Sequence, residues 1–337
     1  MRLLLYFSLL AATACAPPPQ PECAFYHWQT ACGLDAQEQA RLAQHEVRRL
    51  YVRLFDVDWD PGRQAAMPLA TASLDSCRSW AGEWVPVVYI TNRSLLNSPQ
   101  DSMLPLARRM FSRVSRLTAG LPVQELQLDC DWSDGTREKF FALAGAVREA
   151  AAAQGWQLSA TIRLHQVKYA RRTGVPPVDR GMLMFYNMGN LSDPGTENSI
   201  LDLQTASAYL TGFQQYPLEL DVALPLFAWG VVLRGGKPVQ LLQQLDAAAL
   251  ADSGRFALEA PERYTARQGT YLSGYYLYPQ DQIRVERVHP DTLLAAAAML
   301  RGALPRPPRR VAFYHLQSQL LQQYPHETLA SALELLR

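Results

Sequence analysis

The chain has 337 residues, 48% hydrophobic and 19% charged, enough apolar surface for one large or two ordinary domains, which excludes a disordered protein. Its 32 basic and 31 acidic side chains leave a net charge of +1, and no basic block is interleaved with aromatics, which argues against nucleic acid as a partner.

Residues 1–15 carry Arg2, an apolar run from Leu3 to Ala12, and then Ala12-Thr13-Ala14-Cys15. That is a signal-peptide pattern, too short to span a bilayer as a helix. The small residues before the cysteine resemble a bacterial lipobox, although Ala12 stands where such boxes usually have Leu. The resemblance implies cleavage before Cys15 and a lipid anchor on it; a plain secretory signal is the alternative. Residues 16–23 are a proline-rich tether, and residues 24–337 form the folded body. Ala16, rather than an acid, follows the cysteine, which in similar lipoproteins favours the outer membrane of a bacterial cell envelope.

Four further cysteines are Cys23, Cys32, Cys77 and Cys130. In an oxidising compartment Cys23 and Cys32 are placed to close a small loop, but spacing leaves the connectivity open. No CxxC pair and no HExxH is present, so no metal or cofactor is expected.

From Ala24 onward short apolar strands alternate with amphipathic helices, the pattern of parallel βαβ units. The first strand spans 24–28 and is followed by a helical stretch over 35–49. The second strand (51–59) and the third (85–91) precede a helix over about 100–117. The fourth strand, 125–133, leads to a helix over 136–153 that Asp134 or Thr136 caps and Gly155 stops. Strand five is 158–165, strand six 182–187 and strand seven 218–229, with a helix over 239–250 after it. A β-rich insertion at about 255–289 breaks the rhythm, and its tyrosines are read as a small core of its own. A helix over 290–300, an eighth strand at 311–316 and a last helix over 325–336 complete a single (β/α)8 TIM barrel.

Two strands end in acids. On strand four Leu126, Leu128, Cys130 and Trp132 share one face, and Gln127, Asp129 and Asp131 the other. The two carboxylates stand roughly 6.6 Å apart along the strand. Strand two repeats the pattern, with Asp56 and Asp58 between Phe55, Val57 and Trp59. A barrel places these acids towards the lumen at its C-terminal end, where such folds carry their sites. A lone strand-end Asp commonly only orders a loop, whereas two D-x-D-W ends point to a cluster. Arg163 and His165 share a face on strand five, so Arg163 is a partner for Asp131 or a ligand for substrate. Trp28, Trp59 and Trp229 either stack on sugar rings or fill the core. His27 and His315 end the first and last strands and are read as ordinary hydrogen-bonded histidines.

Leu128-Asp129-Cys130-Asp131-Trp132 resembles the signature strand of the family 18 glycoside hydrolases, the chitinase-like barrels, which ends in D-x-D-W-E. Met184-Phe185-Tyr186-Asn187 is similar to that family's M-x-Y-[DN], and Ala223-Leu224-Pro225-Leu226-Phe227 is a fainter echo of its G-x-P-[FY]. The resemblance implies that Asp131 orients a sugar's acetamido group, Asp129 is its buried partner, and Tyr186 is an acetamido ligand. The family's general acid does not carry over: Ser133 stands in its place, and a serine hydroxyl cannot donate a proton as a carboxylic acid does.

Two functions follow. One is a lipid-anchored glycosidase acting on an oligosaccharide or polysaccharide through Asp129, Asp131, Asp56 and Asp58. Asp56, Asp58 or Asp134 would then replace the missing acid, and Tyr186, Asn187, Arg163 and Trp229 would bind substrate. The other is a non-catalytic glycan-binding surface lipoprotein.

Overall fold

The computed structural model describes residues 19–193 and 195–337. Cys15 and the segment before it lie outside the described residues, and among those described no helix is long and apolar enough to cross a membrane.

The first half of the chain contains β1 (Glu22–His27), α1 (Ala36–Gln44), β2 (Arg49–Asp60), β3 (Ala65–Leu69) and β4 (Glu83–Ile90). It continues with α2 (Asn92–Asn97), α3 (Met103–Leu117), β5 (Glu125–Cys130), α4 (Arg137–Ala152) and β6 (Gln157–Arg163). Next come α5 (Leu164–Lys168), α6 (Ala170–Thr173), β7 (Arg180–Met184), α7 (Leu203–Tyr209) and β8 (Leu220–Pro225). An excursion follows: β9 (Ala228–Arg234), β10 (Lys237–Leu242), β11 (Phe256–Ala260), β12 (Arg263–Ala266), β13 (Thr270–Leu272), β14 (Tyr275–Leu277) and β15 (Gln282–Arg287). The chain ends with α8 (Pro290–Ala303), β16 (Arg310–Tyr314), α9 (Ser318–Leu321) and α10 (His326–Leu335).

Eight parallel strands close in the order β1, β2, β4, β5, β6, β7, β8 and β16, which pairs back to β1. The (β/α)8 barrel expected from the alternation is present. β3 was not foreseen; it folds back antiparallel on the upper half of β2, because a short turn allows only an antiparallel return.

Contacts across the barrel between strands that are not neighbours identify the lumen. The Tyr26 hydroxyl of β1 donates to Gln127 Oε1 of β5 at 2.6 Å, and Gln127 Nε2 donates to Ser159 Oγ at 3.2 Å. Arg310 of β16 reaches Glu125 of β5 at 2.5 Å. Glu125, Gln127 and Asp129 therefore point inward, while Leu126, Leu128 and Cys130 are buried against the helices. Trp132, fully buried, stacks on Phe140 at 4.9 Å and donates its indole N–H to the Thr173 carbonyl at 2.9 Å. That bond fixes the end of β5 to α6.

The excursion forms a second, antiparallel sheet in the order β10, β9, β15, β12, β11, with β13 and β14 as a separate hairpin. It begins at Ala228, earlier than the 255 expected, and the expected helix over 239–250 is absent. The cause is the Gly235-Gly236 turn, with φ of 57° and 76°, a tight hairpin that commits the next residues to pairing with β9. Pro225 ends β8, so the expected strand over 218–229 is two strands in two sheets. The sheet has a core of its own, including Val232, Phe256, Leu277 and Ile283. Tyr271, Tyr276 and Tyr278 are exposed rather than part of it.

Three further expectations are corrected. The helix over 35–49 stops at Gln44, and Glu46 turns the chain with a positive φ of 49° before β2. Glu22 and Cys23 belong to β1, so the tether ends before them. Cys32 pairs with Cys77, not with Cys23, with Cα atoms 5.5 Å apart. Cys23, near the start of β1, is a buried free thiol.

Candidate functional site

The upper end of the lumen is built by strand-end residues. β5 ends at Cys130, and the chain then carries Asp131 onto the rim, with more than half of its side-chain surface exposed. Asp129, one pleat below, is buried and accepts a 2.7 Å hydrogen bond from the Thr161 hydroxyl of β6. Arg163 ends β6, and its guanidinium comes to 3.8 Å from Asp129. Gln166 accepts the Arg163 backbone N–H at 2.8 Å and starts α5 there. His165, expected on a strand, is therefore on a helix, and its Nε2 stands 3.9 Å from Asp131 Oδ1.

These groups surround a cleft of about 210 Å³ lined by Asp131, Arg163, Leu164, His165, Tyr186, Asn187, Met188 and Tyr209. Such a volume is below the roughly 300–1,000 Å³ of pockets that enclose drug-sized ligands and suits one sugar ring. Tyr186 forms its inner wall: the ring stacks on Tyr314 at 5.3 Å and meets Phe227 edge-on at 5.6 Å, and its hydroxyl donates to Met184 Sδ at 3.1 Å. Asn187 follows in the left-handed region, with a φ of 55°.

Electrostatics divide the two β5 acids. Burial pushes the Asp129 carboxyl above the usual carboxylate range; Arg163 and the Thr161 bond oppose the rise without cancelling it, and Asp131 and Asp56 add to it. Burial likewise holds the Tyr186 phenol far above its ordinary value, so it remains a hydroxyl.

Of the residues singled out from the sequence, Asp131, Arg163, Tyr186 and Asn187 line the cleft and Asp129 lies beneath it. Asp56, Asp58 and Trp229 do not line it. A register shift in β2 between Arg53 and Phe55 brings Arg53 and Asp56, which a regular strand would send to opposite faces, onto one side. There the Arg53 guanidinium holds Asp56 through two hydrogen bonds, one of 2.8 Å from Nε. Asp58 accepts from Arg93, from Thr91 Oγ1 at 2.6 Å and from the Trp59 N–H at 2.8 Å. Burial alone would raise the Asp58 carboxyl, but the bonds from Arg93, Thr91 and Trp59 outweigh it and hold the group low. Trp229 is buried in β9, and its indole N–H donates to Glu286 at 2.8 Å.

Ser133 occupies a closed ring of hydrogen bonds. Its backbone N–H donates to Thr136 Oγ1 at 2.9 Å, Thr136 Oγ1 donates to Asn92 Oδ1 at 2.6 Å, and Asn92 Nδ2 donates to Ser133 Oγ at 3.4 Å. The serine thus ties the end of β5 to the start of α2. Asp134, the other replacement considered for the missing acid, pairs with Arg172 at 3.1 Å and caps no helix; Thr136 is the residue at that position.

Sequence reasoning missed the loop that walls the cleft beside Asn187. Buried Glu286 of β15 accepts the Ser199 N–H at 2.8 Å, the Ser199 hydroxyl, the Trp229 indole and Arg284 Nε at 2.7 Å. Ile200 O accepts the Asn187 N–H at 2.7 Å and Ser199 O the Gly189 N–H at 3.1 Å. The second sheet therefore sets the loop that carries Asn187 and Met188. His27, Cys32 and Cys77 place ligand-type atoms within 4.8 Å of one another, but both sulfurs are joined in the disulfide and provide no thiolate for a metal.

No protein-family model and no curated protein matches the chain. Solved structures do. The spore cortex-lytic enzyme SleL of Bacillus megaterium is similar over 94% of this chain and 75% of its own, with a TM-score of 0.58 and 12% identity. A chitinase from Chromobacterium violaceum is similar over 93% of this chain and 99% of its own, with a TM-score of 0.58 and 10% identity. The GH18 chitinase ChiB of Flavobacterium johnsoniae is similar over 94% of each chain, with a TM-score of 0.54 and 10% identity. With its closed parallel barrel and added sheet, the chain has the fold of the family 18 chitinase-type barrels, in a divergent form.

Proposed function

We propose that the barrel binds a glycan in the Asp131, Arg163 and Tyr186 cleft and does not cleave it with a carboxylic acid. One observation carries this reading: the position of the family's proton donor holds Ser133 in a hydrogen-bonded ring, and Asp56, Asp58 and Asp134, the carboxylates that would replace it, are each engaged by an arginine. Hydrolysis by the usual route needs a protonated acid at the leaving oxygen. Asp129, whose carboxyl is raised, is buried, bonded by Thr161 and faced by Arg163, and does not line the cleft.

What remains suits binding. Asp131 accepts from hydroxyl or amide N–H groups, Arg163 and His165 donate, and Tyr186 gives an apolar wall with a hydroxyl. The solved structures with this fold carry names that describe chitinases and a cortex-lytic enzyme, which favours a carbohydrate partner here. The Ala12 to Cys15 pattern supports lipid anchoring at Cys15 in a bacterial envelope, outer membrane included. Loss of membrane fractionation in a Cys15→Ser variant is its test.

A second reading, hydrolysis with His165 as proton donor, is favoured by the 3.9 Å approach of His165 to Asp131. A glycan panel including N-acetylated oligosaccharides, titrated by calorimetry with reducing ends assayed in parallel, separates the two. Binding without product is expected, with affinity falling by about tenfold or more in Asp131→Asn as a charged hydrogen-bond acceptor is lost. Product formation that disappears in His165→Ala would replace the binding reading with the hydrolytic one, and a panel with neither signal would overturn both.

A further inference from the structure

Resting on the reading of the cleft as a glycan site, we infer that the glycan it takes carries carboxylate groups, held by the segment that runs from Arg163 through α6. Between residues 163 and 178 the chain carries Arg163, His165, Lys168, Arg171 and Arg172 and neither Asp nor Glu. A solvated helix face usually mixes both signs; here the charged side chains of the segment itself are all basic, and the acids that meet it, Asp129, Asp131 and Asp134, come from the end of β5 and the residues after it.

Placement makes the composition relevant. Arg163 and His165 line the cleft. The Lys168 ammonium lies 5.1 Å from the centroid of the Tyr209 ring, and Tyr209 is itself a lining residue. Arg171 is exposed on α6. Arg172 is neutralised by Asp134 at 3.1 Å, which leaves the others to set the field of that wall. At ordinary ionic strength a charge acts over about 10 Å, so Lys168 contributes to the potential inside the cleft.

Arg163 supplies the specific element. Its nearest carboxylate, Asp129, is 3.8 Å away and accepts its hydrogen bond from the Thr161 hydroxyl instead. Arg163 Nε is buried with no acceptor. The rest of the guanidinium is open to the cleft, the side chain being 21% exposed, and a planar carboxylate accepts from two guanidinium N–H groups at once, as a neutral hydroxyl does not. Asp131, whose Oδ1 stands 3.9 Å from His165 Nε2, offsets part of the basic charge and accepts from hydroxyl or amide donors. Together Arg163 and Asp131 would orient a uronic-acid ring, with its acid on the Arg163 guanidinium and its hydroxyls on Asp131.

The test compares a hyaluronan hexasaccharide, in which uronate and acetamido sugars alternate, with the same hexasaccharide after its carboxylates are reduced to alcohols. The full chain is titrated with each by calorimetry at low salt. The acidic form is expected to bind at least about tenfold more tightly, with the gap closing as salt rises. In a Lys168→Gln, Arg171→Gln double variant the ratio of the two affinities is expected to fall by about threefold or more, and a ratio is insensitive to partial loss of active protein. Equal affinities, or tighter binding of the reduced form, would overturn the inference while leaving a neutral glycan site standing. No binding of either would overturn it too, and the neutral members of the wider panel then decide whether the glycan reading itself survives.

Discussion

Each end of the barrel lumen holds an arginine, Arg310 buried at the lower end and Arg163 half-buried at the upper, and the two are differently surrounded. At the lower end Arg310 has Glu125 at 2.5 Å, Glu22 at 3.6 Å and Asp221 at 3.8 Å. Arg180 also holds Asp221 at 3.0 Å, and Arg49 joins Glu22 at 2.8 Å to Glu83. At the upper end Arg163 has one carboxylate, no closer than 3.8 Å. The lower end is a dense charge lattice that joins seven of the eight barrel strands. The upper end has fewer carboxylates around its arginine where barrels carry their sites, which leaves that guanidinium for a ligand.

The largest effect that would sharpen this contrast is on Arg310. Arg310→Met leaves Glu125 and Asp221 buried beside too few cations, and breaking one partner of a buried network destabilises by about 3–5 kcal/mol. Arg163→Met is expected to cost only about 1–2 kcal/mol, because Asp129 can take up a proton once its single cation is gone. Urea denaturation of both variants measures the difference; equal losses would break the contrast between a structural and a ligand-facing arginine. Between these two lies the disulfide. Cys32 and Cys77 are 45 residues apart in sequence, so replacing both with Ala should cost about 2–4 kcal/mol, mainly through the freed unfolded chain. A loss below about 1 kcal/mol would mean that the neighbouring Ala31 and Ser73 bridge already restrains that loop.

The barrel was legible because its signals are local and periodic. The two-residue alternation on β5 separated Asp129 from Leu128 and Cys130; the whole strand is buried, and the division shows instead in the lumen hydrogen bonds that Gln127 and Asp129 make. The cleft was legible in part, since Asp131, Arg163, Tyr186 and Asn187 sit at strand ends. What was hidden depends on events that alternation does not encode. The β2 register shift turned Asp56 towards Arg53. Gln166 ended β6 and put His165 on a helix. Trp229 looked like a rim residue until the Pro225 break moved it to a second sheet, where Glu286 takes its N–H. Pro225 and the Gly235-Gly236 pair were the available signals for that second sheet. No local signal marked Glu286 as the residue that would set the loop beside Asn187.

The smallest effect concerns pH and again compares the two ends. His27 and His315 sit at the upper end; burial lowers both, and His315, with His27 beside it, is lowered to about 4. His45 at the lower end is also lowered to about 4, by burial and then by His326, whose Nδ1 is 3.2 Å away, and by Arg41. In each case the folded value lies below the unfolded 6.5, so the unfolded chain takes up protons first as pH falls. Their stabilisation is complete above pH 6.5 and is lost as pH falls towards 4. By pH 5.5 His45 and His315 are each expected to remove about 1 kcal/mol. Carboxylates held low by arginines, such as Asp58 and Asp281, act only at lower pH and do not enter this window. Thermal melts between pH 7.5 and 5.5 should therefore slope downward, and His315→Asn should remove part of the slope, as His45→Asn should remove another part. A flat profile would refute the assignment. A slope untouched by His315→Asn but abolished by His45→Asn would place the sensitivity wholly at the lower end, among the charges that close the barrel.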